Sequence, residues 1–293
     1  MFEDRQDPNS LFSKAMKAKE QLNAMLTTKY VEAEQLILNN EWKDKYGDEQ
    51  CVLSGLLEND AVFDNGGEYG LYDKVDLITV LTFAAYDTSA TSLTNLVYAI
   101  HKHPEQADIV RKAIMNHPEL SNRATVFSME MLKSCNELEC FIDESQRIYG
   151  IVPFLSRKVN DVNGLDFGGY LLPHDTTFLI PTKWLHQGDG SWTESMEFKP
   201  SRFDKSNGES KADRGDIGKY NNIPFHTGLH KCLGMHLALL EMKIYTTLLL
   251  RDWEFELDEN KLKDEEGVIV NEMNYTGFFP HFNVYVKMRK REN

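Results

Sequence analysis

The sequence predicts a mainly α-helical protein with a minor β component. Two observations lead to this prediction. Apolar residues recur every three or four positions over long stretches, and residues 165–180 combine a Gly-Gly pair, a Pro-His-Asp-Thr turn and short apolar runs. The 293 residues are 41% hydrophobic and 27% charged, which suits one large globular domain or two smaller ones.

The first part of the chain predicts helices. Helical spacing from Leu11 to Leu38 favours one or two amphipathic helices, and we assign residues 1–75 to helices that precede a longer one. The longer helix covers residues 76–102, which contain no proline or glycine until His103-Pro104 ends it. Helical patterning resumes from residue 106 to residue 115.

The second part mixes element types. Ser134-Cys-Asn-Glu137 has the spacing of a capping box and predicts a helix over residues 134–149. A β-hairpin is predicted over residues 165–180, and residues 235–250 form a buried-looking helix. Residues 187–222 are polar and glycine-rich, and a loop of this length in a compact domain usually carries function or wraps a cofactor.

Charge and cysteine content exclude several classes. The chain has 32 basic and 46 acidic residues, and its net charge of -14 opposes binding to nucleic acid. Four scattered cysteines do not form a disulfide framework, which favours a reducing compartment. The first residues are polar and acidic, so we expect no secretory signal, and no apolar run approaches the roughly 20 residues of a membrane span.

The residues best suited to binding a metal or a cofactor lie in one segment. Phe225-His-Thr-Gly228-Leu-His230-Lys-Cys232-Leu-Gly234 directly precedes the helix at 235–250. It therefore places a sulfur at a helix N-terminus, where free N–H groups favour the thiolate. The glycines permit turns and the close approach of a flat ligand. Two alternatives are a packed core thiol and a zinc site that would combine Cys232 with nearby histidines, namely His226, His230 and His236.

The spacing Phe225-x-x-Gly228-x-x-x-Cys232-x-Gly234 resembles the cysteine-ligand signature of the cytochrome P450 family. In that family the thiolate is the axial ligand of a haem iron and favours O–O cleavage. The resemblance implies haem b as cofactor, with Cys232 on the iron and Phe225, Gly228 and Gly234 around the porphyrin. It also implies that Arg157 and His230 hold the haem propionates.

Two further segments are similar to motifs of the same family. Glu144-Ser-Gln-Arg147 matches its Glu-x-x-Arg helix, and Arg202 lies in a following segment whose arginine completes a buried triad. Taken alone, Glu144 and Arg147 are an ordinary pair three residues apart, which favours a solvated helix face. However, both project away from the apolar stripe of their helix, so they need another element to cover them. A covered triad would be costly to break.

The third segment runs from Ala84 to Ser89 in the long helix and is similar to the family's oxygen-activation motif. Asp and Thr are poor residues for the middle of a helix, so Asp87 and Thr88 point either to function or to back-bonding that bends the helix. The resemblance implies that Asp87 and Thr88 deliver protons and that Ala84 contacts the cofactor. Five residues fall where the family lines its substrate pocket: Phe83, Val152, Phe154, Tyr275 and Thr276.

The resemblance implies that residues 1–293 are the C-terminal portion of one cytochrome P450 domain. Residues 187–234 would form its meander and haem-cysteine loop. The family's N-terminal half, including its membrane anchor, has no counterpart here. An anchor in a longer protein would imply the cytoplasmic side of an endomembrane; the sequence leaves the location open.

The implied activity is a haem-dependent monooxygenase that inserts one atom of dioxygen into an apolar, lipid-, sterol- or retinoid-like substrate. Its electrons would come from an NADPH-linked reductase or a ferredoxin, and Lys231 is a candidate docking point for an acidic donor. Two alternatives remain open: a haem-thiolate isomerase or dehydratase, and a catalytically inactive truncated chain. Substrate, regiochemistry and redox partner are not determined by the sequence.

Overall fold

The computed structural model describes residues 7–46, 70–190, 192–204, 220–258 and 285–291. It is mainly helical, as predicted. The described helices are α1 (Leu11–Leu38), α2 (Trp42–Tyr46), α3 (Leu71–Lys102), α4 (Pro104–Asn116), α5 (Met129–Lys133), α6 (Asn136–Ile148), α7 (Thr182–Gln187) and α8 (Met235–Asp252). The strands are β1 (Leu155–Lys158), β2 (Leu165–Phe167), β3 (Tyr170–Leu172), β4 (Thr177–Ile180), β5 (Trp253–Leu257) and β6 (Val286–Lys290).

The chain forms two compact units, Met1–Tyr86 and Asp87–Asn293. In the first unit, α1 is one helix of 28 residues, and its N-cap Ser10 accepts a hydrogen bond from the Ser13 N–H. Tyr30 of α1 is buried, and Lys74 of α3 lies over its ring at 5.9 Å. This unit therefore joins α1 to the first turns of α3.

The second unit holds the main core, in which α4, α6 and α8 pack together. Its buried members include Leu96, Ile114, Leu138, Phe141 and Leu249. On α4 and α6 the buried apolar residues recur at three- and four-residue spacing, so each of these two helices turns one apolar stripe inward, whereas residues 96–100 of α3 are all buried. Phe225, at the start of the segment that carries Cys232, packs against this core.

The β component consists of three antiparallel pairs. The predicted hairpin over residues 165–180 is two nested hairpins: β2 pairs with β3, and β4 returns to pair with β1, with Leu155 opposite Ile180. The prediction missed β1, a strand of four residues at 155–158. The third pair, β5 with β6, follows α8.

Three predicted helix boundaries need correction. The long helix starts at Leu71 rather than at residue 76, and α8 continues to Asp252. The capping box at Ser134 is wrong, because Ser134 is the C-cap of α5 and its hydroxyl donates to the Met131 carbonyl at 2.7 Å. Helix α6 begins only at Asn136, with Cys135 as an N-cap that makes no side-chain hydrogen bond. Ser134 therefore belongs to the C-terminus of the short helix α5.

Candidate functional site

The segment around Cys232 is a closed loop. The Cys232 N–H donates to the Phe225 carbonyl at 2.9 Å, and the Lys231 N–H donates to the Gly228 carbonyl at 3.2 Å. Gly228 has a φ of 75°, which a residue with a Cβ adopts only under strain. Helix α8 then begins after its N-cap, Gly234. The loop therefore presents Cys232 just ahead of an 18-residue helix.

The Cys232 side chain is exposed, whereas Cys135 and Cys140 are buried. The interpretation of Cys232 as a core thiol is therefore wrong. A zinc site has no support either: within the described ranges, no group of three or more His, Cys, Asp or Glu side chains is arranged to hold a metal ion. Cys232 is therefore an exposed thiol on the closed loop, and the haem-ligand prediction is the alternative that remains for it.

The surface around this sulfur suits a flat apolar group. Leu229 is fully exposed and Leu233 is 79% exposed, although such side chains are usually buried. The space where a Cβ would project from Gly228 or Gly234 is open to 4 Å. An exposed thiol, apolar neighbours and clear space above two glycines fit the thiolate-ligated porphyrin that the sequence predicts.

The two predicted propionate ligands are placed differently. Arg157 lies on β1, half-buried, and its Nη1 donates to the Ser156 carbonyl at 2.8 Å. Burial, and then the nearby Arg157 cation, lower the pKa of His226, which follows Phe225. Arg157 is therefore close to the start of the Cys232 loop. His230 lies on the loop itself and is exposed.

The predicted oxygen-activation residues lie in the middle of α3. Asp87 and Thr88 are half-buried, and Phe83 and Ala84 on the same helix are exposed. The next residue, Ser89, donates its hydroxyl proton to Glu241 Oε2 on α8 at 2.8 Å. This hydrogen bond ties the Asp87 turn to the helix that follows Cys232, and no sequence pattern predicted it.

Glu144, Arg147 and Arg202 come together, and each is fully buried. Arg147 Nε and Nη2 donate to the two oxygens of Glu144 at 2.7 and 2.8 Å, so this pair is bidentate. Arg202 Nε donates to Glu144 Oε1 at 3.1 Å, and the Lys199 N–H donates to the same oxygen at 2.7 Å. The interpretation of Glu144 and Arg147 as a solvated face is wrong because the segment after α7 covers them.

The two arginines also fix that covering segment. Arg147 Nη1 donates to the carbonyls of His186 and Ser195 at 2.7 and 2.6 Å. Arg202 Nη1 donates to the Thr193 carbonyl at 2.7 Å. The Trp192 ring lies near both guanidinium groups, with its centroid 5.0 Å from that of Arg147 and 5.9 Å from that of Arg202. The triad thus holds the loop that leads toward Cys232.

His186 is a site residue that sequence reasoning missed. It is 3% exposed, and its ring Nε2 accepts a hydrogen bond from the Ile223 N–H at 3.0 Å. The available signal was a histidine directly after two apolar residues, Trp184 and Leu185, in an otherwise polar stretch. That pattern cannot reveal a partner 37 residues away.

The predicted substrate-pocket residues are only partly described. The Val152 carbonyl accepts a hydrogen bond from the Thr182 hydroxyl, and the Phe154 side chain is 36% exposed. Tyr275 and Thr276 lie outside the described residues. In the part of the chain that the structure covers, no helix is long and apolar enough to cross a membrane.

Comparison with known proteins identifies the family. The family model "Cytochrome P450" matches residues 2–276. Cytochrome P450 3A40 of Oryzias latipes is 31% identical over 257 residues, which cover 86% of this chain and 47% of that protein. Lithocholate 6-beta-hydroxylase of Mesocricetus auratus is 32% identical over 203 residues, which cover 67% of this chain and 37% of that protein. The chain therefore spans about half the length, or less, of these relatives.

A solved structure shares the fold. Retinoic acid bound cyanobacterial CYP120A1 superposes with a TM-score of 0.72 over 97% of this chain and 59% of that one, at 22% sequence identity. The fold assigned from the sequence is confirmed by this match. From the family model, the curated relatives and the shared fold together, we conclude that the chain belongs to the cytochrome P450 family.

Proposed function

We propose that this chain binds haem b through the Cys232 thiolate and serves a haem-dependent monooxygenase. The observation that carries the proposal is the exposed Cys232 thiol on a closed loop just before α8. Membership of the cytochrome P450 family supports it, since that family implies a haem cofactor and an oxidoreductase of the monooxygenase class.

The loop supplies the features that a thiolate ligand needs. The free N–H groups at the N-terminus of α8 favour a negative charge in front of the helix, where Cys232 lies. The hydrogen bond from the Cys232 N–H to the Phe225 carbonyl fixes the backbone from which the sulfur projects. Exposed Leu229 and Leu233 would cover apolar porphyrin edge, and Arg157 and His230 would pair with its carboxylates.

When bound, the haem supplies dioxygen binding, and its thiolate ligand favours O–O cleavage. Asp87 and Thr88 are this chain's proton-handling groups. The carboxylate of Asp87 can take up a proton and release it, and the Thr88 hydroxyl can both donate and accept a hydrogen bond. The bond from Ser89 to Glu241 holds this turn of α3 against α8.

The substrate of the proposed reaction is apolar and lipid-, sterol- or retinoid-like. Two relatives support this class by name alone: one curated relative is a lithocholate hydroxylase, and the similar solved structure holds retinoic acid. Val152 and Phe154 would contact the substrate. The two electrons would come from an NADPH-linked reductase or a ferredoxin.

The absorbance of the reduced, carbon-monoxide-bound protein tests haem ligation. A thiolate opposite the gas shifts the main band in a way that imidazole ligation does not. We expect that band in the wild-type chain, in Cys135→Ala and in Cys140→Ala, and its loss in Cys232→Ala. A chain that takes up no haem, or a Cys232→Ala variant that keeps the band, would refute the proposal.

Two alternatives give different outcomes. A haem-thiolate isomerase or dehydratase would show the band but turn over a peroxide without reductase or dioxygen. An inactive chain would bind substoichiometric haem; the exposed Leu77, Val80, Phe83 and Tyr86 of α3 favour this outcome, because such a row usually packs against a partner. Comparing haem stoichiometry with that of a version extended upstream separates the inactive chain from the monooxygenase.

A further inference from the structure

His186 accepts hydrogen bonds both at its backbone carbonyl and at its imidazole ring. It lies in α7 and is 3% exposed. Its backbone carbonyl accepts from Arg147 Nη1 at 2.7 Å, and its ring Nε2 accepts from the Ile223 N–H at 3.0 Å. One residue thus connects the buried triad to the segment that enters the Cys232 loop.

Backbone hydrogen bonds continue this connection to the cysteine. The Ile223 carbonyl accepts from the His226 N–H at 2.9 Å, and the Phe225 carbonyl accepts from the Cys232 N–H at 2.9 Å. His226 has a φ of 63°, so the turn between these two bonds is tight. A shift of Ile223 would therefore move Phe225, whose carbonyl accepts the hydrogen bond from the Cys232 N–H.

The chemical state of His186 suits an acceptor. Burial first, and then the charge of Arg147 and the nearby His226, lower its pKa to about 4. The ring is therefore neutral near pH 7, and the bond from Ile223 leaves its proton on Nδ1. A buried backbone N–H requires a hydrogen-bond acceptor. An apolar residue at position 186 would remove the acceptor that His186 Nε2 provides to the Ile223 N–H.

We propose that His186 is a positioning residue for the haem-ligand loop: its ring Nε2 fixes Ile223 and thereby sets the position from which Cys232 presents its sulfur. The inference rests on the proposed ligation by Cys232 and deepens it. His186 itself touches neither substrate nor cofactor in this proposal; it acts through Ile223, His226 and Phe225.

Three substitutions separate the acceptor from simple space filling. In His186→Gln the amide oxygen reaches about as far as Nε2, whereas in His186→Asn it reaches only about as far as Nδ1. His186→Leu fills the space without an acceptor. His174→Gln is the matched control, because His174 is an exposed residue in the turn between β3 and β4.

The first readout needs no cofactor. Hydrogen exchange of the Ile223 and Cys232 amides, measured by NMR on the full chain, reports the two ends of the connection. We expect exchange at both amides to accelerate about tenfold in His186→Asn and His186→Leu, since a lost hydrogen bond has that order of effect. His186→Gln and His174→Gln should stay close to wild type.

The second readout uses the haem-loaded chain. The fraction of the reduced carbon monoxide complex that shows the thiolate-type band should fall in His186→Asn and His186→Leu and recover in His186→Gln. This pattern reports sulfur position, because general loss of stability would affect the Gln and Asn variants alike.

Several outcomes overturn the inference. One is a wild-type exchange rate at the Cys232 amide in folded His186→Leu, and another is identical behaviour of the Gln and Asn variants in both readouts. If His186→Leu does not fold, the comparison of His186→Gln with His186→Asn still tests the inference. The two side chains differ by one methylene, and only that of Gln reaches the position of Nε2. If wild type binds no haem, the proposed function fails while the exchange data still judge the role of His186.

Discussion

Glu144 and Arg202 are 58 residues apart in sequence, yet Arg202 Nε lies 3.1 Å from Glu144 Oε1 and both side chains are fully buried. Arg147 shares the same carboxylate. Two guanidinium groups on one carboxylate leave a net positive charge in the interior, which the carbonyls of residues 186 and 193–197 help to solvate. The triad therefore depends on the loop it holds, and the loop depends on the triad.

Neutralising Glu144 should destabilise the fold strongly. Glu144→Gln keeps the shape but leaves two buried cations without their counter-charge, so we expect the free energy of unfolding to fall by about 3–5 kcal/mol. Urea titration followed by circular dichroism measures it. The control is Asp108→Asn, which removes an exposed ion pair with Lys112 and should change nothing measurable. A Glu144→Gln variant as stable as wild type would contradict the triad's structural role.

Stability should fall in mild acid because of His186. The pKa of His186 is lowered from about 6.5 to about 4, first by burial and then by the Arg147 charge. Between these values the unfolded chain binds more protons than the folded one, so the stabilisation is complete above about pH 6.5 and is lost as the pH falls toward 4. From His186 alone we expect a loss of about 2 kcal/mol between about pH 7 and about pH 5.

Urea titrations at the two pH values check this dependence. His186→Gln removes the titrating ring while keeping an acceptor, so its pH dependence should be shallower than that of wild type by the same amount. Some dependence should persist in the variant, because burial also lowers the pKa of His103 to about 4. An unchanged slope in His186→Gln would show that the ring is not the group that titrates.

Removing the side-chain groups of Asp87 and Thr88, which we propose to handle protons, should reduce turnover. In Thr88→Val and Asp87→Asn we expect product formation per haem to fall about 100-fold, in line with the usual contribution of general acid–base catalysis. Haem content and the carbon monoxide band should stay at the wild-type level, since neither residue is the proposed iron ligand. Thr94→Val is the control, because the Thr94 hydroxyl donates to the Ala90 carbonyl of its own helix. Equal rates in Thr88→Val and Thr94→Val would exclude Thr88.

Lys231 should assist electron transfer from an acidic donor. It is exposed beside Cys232, so Lys231→Glu should slow reduction about tenfold at low salt through lost electrostatic steering. Stopped-flow absorbance measures the rate, and the difference should shrink as salt is raised. Lys133→Glu makes the same charge change at an exposed position on α5. Reduction kinetics that are unchanged in Lys231→Glu would remove this docking point.

Much of the prediction depended on the spacing of residues that are close together in the sequence. The residues from Phe225 to Gly234 identify the cysteine loop because each is fixed by its distance along the chain from Cys232. Helical periodicity predicted α1, α3 and α8 for the same reason, since a helix is built from contacts three and four residues apart. Helix boundaries were predicted less accurately: Ser134 has the sequence of an N-cap but serves as a C-cap.

The sequence by itself determined the family, the fold class and the identity of the candidate ligand, because these depend on residue type and short-range spacing. Only the tertiary structure decided which polar side chains are buried and which partners they meet. Glu144 with Arg202, His186 with Ile223 and Ser89 with Glu241 each join residues that are far apart along the chain. The reason is physical: burial and long-range hydrogen bonds arise from the packing of whole elements, and local sequence does not encode which element will cover a given face.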